Sequence, residues 1–160
     1  MNTAVFDAIR EQLGDLTEEA AVEHGLLALR LAPGRLLEAV HALRERFGFD
    51  LFLDVTAVDW PAREPRFDVV WHFYSTRHFV RVRLKTRVPE SDPVVDTLVP
   101  LYGSARYMER ECHEMYGIAF RGNDDLRPLL LYEGFVGHPL RKDYPKQQEQ
   151  PLVPYRDAKP

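Results

Sequence analysis

The chain has a single cysteine, Cys112, in 160 residues. That count excludes an intrachain disulfide and any zinc site built from several thiolates of this chain, and it fits a reducing compartment. A basic excess is missing too. The net charge is −4 and the pI is near 5.9, so nucleic-acid binding through phosphate neutralisation is not expected. No apolar run approaches the ~20 residues needed to span a bilayer. The N-terminus, Met1-Asn2-Thr3-Ala4-Val5-Phe6-Asp7, has no positive leader followed by an apolar stretch, so neither a secretory signal nor a transit peptide is expected. There is no glycine-rich phosphate loop, no His-Glu-x-x-His and no internal repeat.

What is present suits one compact core. Hydrophobic residues make up 45% and charged residues 29% of the chain, and the length favours a single domain. Val5, Phe6, Ile9 and Leu13 recur at helical spacing and are closed by Gly14. A strand is expected over residues 25–31. Pro33-Gly34 then opens a helix over 35–47, where Leu36, Leu37, Val40, Leu43 and Phe47 form an apolar stripe and Gly48 is placed as a left-handed cap.

The period then changes. Residues 51–58, 66–74 and 78–86 are rich in β-branched and aromatic side chains and read as three strands. Their short connections favour antiparallel neighbours, because a parallel return needs a crossover. Asp92-Pro93 reads as the opening of a short helix over 92–98, and a stronger helix is expected over 104–116 with Gly117 as its stop. Six of the twelve prolines lie from Pro128 onward, which favours an extended path over a surface. The expected fold is therefore α+β. A mainly antiparallel sheet of about four strands, with a mixed sheet also allowed, packs with helices and leads into an extended Pro-rich C-terminal segment. The boundary is expected between residues 1–122 and 123–160.

Few residues are arranged for catalysis. Cys112 and His113 are adjacent on the expected helix, so their side chains diverge by ~100° and do not pair as nucleophile and base. His72 and His78 lie on neighbouring strands with Asp68 close by, but a zinc site needs three or four convergent ligands. Ordinary strand histidines are the simpler reading. Arg81, Arg83, Lys85 and Arg87 alternate with apolar residues and form a cationic row; it reads as a solvated face, partly neutralised by Asp68, that an acidic partner or anionic ligand could use. Glu111 and Glu114 share a helical face and favour pairing with cations over proton transfer.

Two blocks remain, crowded with charge and aromatic rings: Glu109-Arg110-Glu111-Cys112-His113-Glu114-Met115-Tyr116-Gly117-Ile118 and Gly137-His138-Pro139-Leu140-Arg141-Lys142-Asp143-Tyr144-Pro145. With Asp125-Leu126-Arg127 between them, and Asp54-Val55-Thr56-Ala57-Val58-Asp59 and Arg66-Phe67-Asp68-Val69-Val70-Trp71-His72 upstream, they resemble the 30 kDa, C-type subunit family of the NADH-quinone oxidoreductase, respiratory complex I. The resemblance runs from the second helix to Pro145. Asn123-Asp124 stands where that family usually has His-Pro, His113 where an aromatic is commoner, and Pro128 where arginine is common.

The resemblance implies a non-catalytic structural subunit of the hydrophilic arm. It would carry no cofactor of its own, with FMN, iron-sulfur clusters and quinone held by partner subunits. The implied partners are the hydrogenase-like large subunit, of the D type, and neighbouring iron-sulfur subunits. The implied location is the cytoplasmic side of the bacterial inner membrane, reached only through the complex. By carry-over, Glu109, Arg110, Glu111, Glu114, Asp125, Arg127, His138, Arg141, Lys142 and Asp143 are interface or local-framework residues. The alternatives are the equivalent subunit of a membrane-bound hydrogenase or cofactor F420-dependent dehydrogenase complex, a freestanding Cys/His enzyme, or an anion-binding module.

Overall fold

The computed structural model describes residues 3–147. The last part of the expected C-terminal segment, residues 148–160, lies outside the described residues. Helix α1 (Thr3–Leu13) leads through a short 3-10 turn into strands β1 (Thr17–Glu23) and β2 (Leu26–Leu31), followed by α2 (Leu36–Phe47). Strands β3 (Leu51–Asp59), β4 (Phe67–Ser75) and β5 (Val80–Val88) come next, then β6 (Val94–Asp96), α3 (Ala105–Tyr116) and β7 (Ala119–Arg121). Gly48 takes φ 64° at the end of α2, and Gly117 takes φ 76° at the end of α3. Both are the left-handed caps that glycine accepts without a Cβ clash.

The five long strands form one sheet in the order β1-β2-β5-β4-β3, and β6 pairs with β7. The fold is α+β as expected, and the sheet is mixed, because β2 runs parallel to β5 while every other neighbouring pair in it is antiparallel. It has five strands, one more than expected. The addition is β1, whose Thr-Glu-Glu-Ala-Ala-Val-Glu sequence carries no apolar alternation; β2 supplies its register as a partner at the sheet edge. A second correction concerns residues 92–98, expected as a short helix. Val94 and Val95, stiff at Cβ, instead pair in parallel with Ala119 and Phe120.

Strand alternation sorts the sheet into two unlike faces. Leu27, Leu29, Leu31, Val55, Phe67, Val69, Trp71, Phe73, Val82 and Leu84 point to one side and join Phe6, Ile9, Leu13, Val40, Leu43, Cys112 and Ile118 in a single core. Each fully buried Leu or Phe there contributes ~1.5–3 kcal/mol relative to exposure. The other side carries Glu19, Glu23, Arg30, Asp68, His72, Arg83, Lys85 and Arg87. No helix among the described residues is long and apolar enough to cross a membrane.

Candidate functional site

Helix α3 ends beside a stretch without helix or strand, residues 122–147, and grips it with side chains one turn apart. Arg110 donates from Nε to the Arg127 carbonyl and from Nη2 to the Pro128 carbonyl, both at 2.8 Å. Four residues later on the same helical face, Glu114 accepts the backbone N–H groups of Leu129, Leu130 and Leu131 at 3.0, 2.9 and 3.2 Å. Glu114 is itself buried, so these three backbone donors satisfy its carboxylate oxygens in place of water. Asp125 and Arg127 form a two-point pair at 2.8 and 3.0 Å on the outer side, and that guanidinium holds the Asp125 carboxyl well below the usual range.

A second grip caps the helix. The last carbonyls of any α-helix lack intrahelical partners. Here His138 Nδ1 donates to the Glu114 carbonyl at 2.9 Å, the Leu140 N–H to Met115 at 3.1 Å, and Arg141 Nε to Tyr116 at 2.6 Å. Burial pushes the His138 imidazole below its ordinary value. Gly117 makes the approach possible: a Cβ there would stand 2.5 Å from Arg141 Nη2 and 2.6 Å from His138 Nε2.

The third grip is a ring of charge around Arg66. This residue is 5% exposed, and its guanidinium donates to both Asp59 carboxylate oxygens at 2.7 and 2.8 Å, to Glu90 at 2.7 Å and to Asp143 at 3.0 Å. Asp59 also accepts the Lys142 N–H at 2.7 Å. Arg66 holds the carboxyls of Asp59 and Asp143 below the usual range. The Arg66 and Arg141 guanidiniums both lie over the Phe67 ring, at 5.0 and 5.1 Å. Residues 59, 66, 90 and 141–143, distant in sequence, thus close on one another.

Glu109 has a different job. It is 0% exposed and accepts from Thr97 Oγ1 at 2.6 Å, the Leu98 N–H at 2.7 Å and Asn123 Nδ2 at 2.9 Å, so it locks α3 to the β6–β7 pair. Burial raises its carboxyl, and the three donors oppose that rise. Of the ten residues singled out from sequence, Glu109, Arg110, Glu114, Asp125, His138, Arg141 and Asp143 make contacts within the chain. Glu111 and the side chain of Lys142 are exposed, and Arg127 is turned outward beyond its pair with Asp125. Sequence reading missed Asp59, Arg66, Glu90, Thr97 and Asn123 as framework residues. An arginine heading the apolar run Phe67–Phe73 was the available signal for Arg66.

The other chemical candidates fall apart in space. Cys112 is buried in the core, and burial pushes its thiol far up; His113 beside it bonds the Ile118 carbonyl. His72 donates from Nδ1 to Asp54 at 2.6 Å and accepts from Arg83 Nε at 2.8 Å, which sets its tautomer and leaves no free ring nitrogen. No group of three or more His, Cys, Asp or Glu among the described residues is placed to hold a metal ion. In the cationic row, Arg83 and Lys85 meet Glu23, and Arg87 faces Asp68 at 3.8 Å.

The gripped segment presents Leu130 (63% exposed), Val136 (69%) and Leu140 outward. Fold and site together define a two-layer α+β protein in which buried charge holds residues 122–147 in place. Residues 29–150 match the family described as respiratory-chain NADH dehydrogenase, 30 Kd subunit, and the chain belongs to that family. It is 44% identical over 139 residues to the C subunit of the NADH-quinone oxidoreductase of Agrobacterium fabrum, covering 86% of this chain and 69% of that one. Against the corresponding C subunit of a Methylobacterium species the identity is 41%, over 89% and 66% of the two chains. The chain thus spans about two thirds of these relatives' length.

Solved structures share the fold, two of them as follows. A trypsin-resistant fragment (1-134) of Nqo5 superposes with a TM-score of 0.64 at 29% identity, covering 79% of this chain and all of that one. A chain of the membrane-bound sulfane sulfur reductase, an archaeal respiratory membrane complex, gives 0.79 at 26% identity over 91% and 86%.

Proposed function

We infer that this chain is a non-catalytic structural subunit of the hydrophilic arm of an NADH-quinone oxidoreductase. It packs against the hydrogenase-like large subunit and supports the quinone-reducing module, while FMN, iron-sulfur clusters and quinone sit in partner subunits on the cytoplasmic side of the membrane. The observation that carries this reading is the gripped segment: three sets of polar contacts, anchored on the buried Glu114 and Arg66, fix a loop whose outward side chains are Leu130, Val136 and Leu140. Ordering such a loop before docking removes an entropy cost from binding. Glu111, Arg127 and Lys142 supply charge at the rim of the same surface, and the gripping residues set its shape.

The test is recovery of the complex. The chain, expressed at native level and isolated from gently solubilised membranes, should co-migrate with a hydrogenase-like large subunit and iron-sulfur proteins identified by mass spectrometry. Leu130→Asp, at an exposed position, should keep the circular dichroism of the isolated chain and lower that recovery; unchanged recovery refutes the docking surface. The TM-score of 0.79 with the sulfane sulfur reductase chain supports a second reading, a subunit of a related membrane-bound respiratory complex. The electron-donor module that co-migrates separates the two.

A further inference from the structure

At the end of the sheet away from the Arg66 ring, the β1–β2 and β4–β5 turns flank an open cleft of about 300 Å³ lined by His24, Gly25, Leu26, Tyr74, Phe79 and Arg81. Among the described residues, His24 (φ 50°) and Phe79 (φ 55°) are the non-glycine residues with positive φ, and both line this cleft. His24 is explained by the two-residue turn it shares with Gly25, where both central residues take positive φ. Phe79 is not so easily explained. A bulky side chain in the left-handed region is an outlier, glycine would close the same turn without strain, and the ring is left 75% exposed. The Phe79 N–H donates to the Ser75 carbonyl at 2.8 Å, so the turn fixes the ring outward.

Charge at this end is unbalanced. Arg83 and Lys85 share Glu23, whereas Arg81, the first member of the same row, has no acidic partner among the described residues; its guanidinium lies 5.9 Å from the Tyr74 ring centre. Elsewhere on the sheet face, the described cations are met internally, and this end combines one guanidinium that lacks a carboxylate with an exposed aromatic ring.

We propose that this cleft is a second docking site, separate from the gripped C-terminal segment, for an acidic, extended segment of a neighbouring protein chain that sets an apolar side chain between Phe79 and Tyr74. Its carboxylate meets Arg81, whose guanidinium fork suits two-point pairing. The cleft is too open to enclose a small molecule, which normally has most of its surface buried in its pocket. This site does not depend on which respiratory complex the chain serves.

Replacing Phe79 with a photo-crosslinking phenylalanine analogue in the full-length chain, in intact membranes, tests it. The expected product is one crosslinked segment of a different subunit, rich in Asp and Glu by mass spectrometry, whose yield falls at least tenfold with Arg81→Glu and is retained with Arg81→Lys. The same analogue at position 130 reports the docking surface proposed above, so loss of crosslinking at 130 alone sinks that surface and spares this one. Crosslinking at 130 with none at 79, a captured segment without acidic residues, a product made only of this chain, or a yield indifferent to Arg81→Glu overturns the proposal. Phe79→Gly supplies an independent readout: relief of the left-handed strain raises the melting temperature of the isolated chain, and crosslinking from an analogue placed at His78 is lost. Retained crosslinking in that variant also overturns it.

Discussion

Arg66 and Arg83 both meet carboxylates, yet the two regions they belong to hold charge in opposite ways. On the open sheet face, Glu19 with Arg30, and Glu23 with Arg83 and Lys85, form a wet lattice in which the glutamates keep contact with solvent. Around Arg66, the guanidinium and Asp59 are withdrawn from water and joined by Asp143, a residue from the far end of the described chain. Wet pairs contribute little because water offers both partners nearly equal company. Buried pairs are costly to assemble and more costly to break, because removal of one member strands the other. The same residue types therefore decorate one region and hold the other together.

The largest effect should come from the buried ring. Arg66→Ala leaves Asp59 without its guanidinium and should cost about 3–5 kcal/mol of stability, seen as a large drop in denaturation midpoint. A loss under about 1 kcal/mol would mean the ring behaves like the wet lattice. Gly117→Ala comes next. Its left-handed backbone penalises any Cβ by roughly 1–2 kcal/mol, and the methyl would displace His138 and Arg141. Trypsin should then cut after Arg141 and Lys142 faster than in the parent chain.

A pH effect of middle size follows from His138, whose folded-state value is depressed below 6.5 by burial. The unfolded imidazole binds its proton first as pH falls, so the contribution is full above 6.5 and is lost as pH drops through 6.5 toward the folded value. Glu109 acts in the opposite sense, since its raised carboxyl favours the folded state less as pH rises above 4.5. Proteolytic protection of residues 127–141 should therefore weaken on acidification, and His138→Gln should flatten that dependence. Retention of the full slope in the variant would assign it elsewhere. Smallest of all, Glu23→Gln should change stability by about 0–1 kcal/mol, an effect that added salt erases.

The two regions also differed in how well the sequence disclosed them. Helix α2 and its Gly48 cap, α3 with Gly117, and strands β3 to β5 were legible because period and punctuation agreed locally. β1 was hidden, since its glutamates obey the needs of an exposed edge and only β2 gives it a register. The Asp92-Pro93 signal pointed to a helix, but pairing with β7, about two dozen residues later, overrode it. The family motifs marked Glu109, Glu114, His138 and Arg141 as special. Their partners were illegible because they are mostly backbone groups, which look alike in every sequence. Asp59 and Arg66 stood in plain view, but nothing local announced that Asp143 would join them.

The Arg66 ring also has a place in time. Asp143 lies 77 positions beyond Arg66, so during synthesis the β3–β4 hairpin must emerge, pair and wait with its guanidinium partly unmet. Ring closure can happen only once the sheet edge, α3 and the downstream loop have all reached the same place. In the order of synthesis the contact is therefore closed last, after the scaffold beneath it has been made.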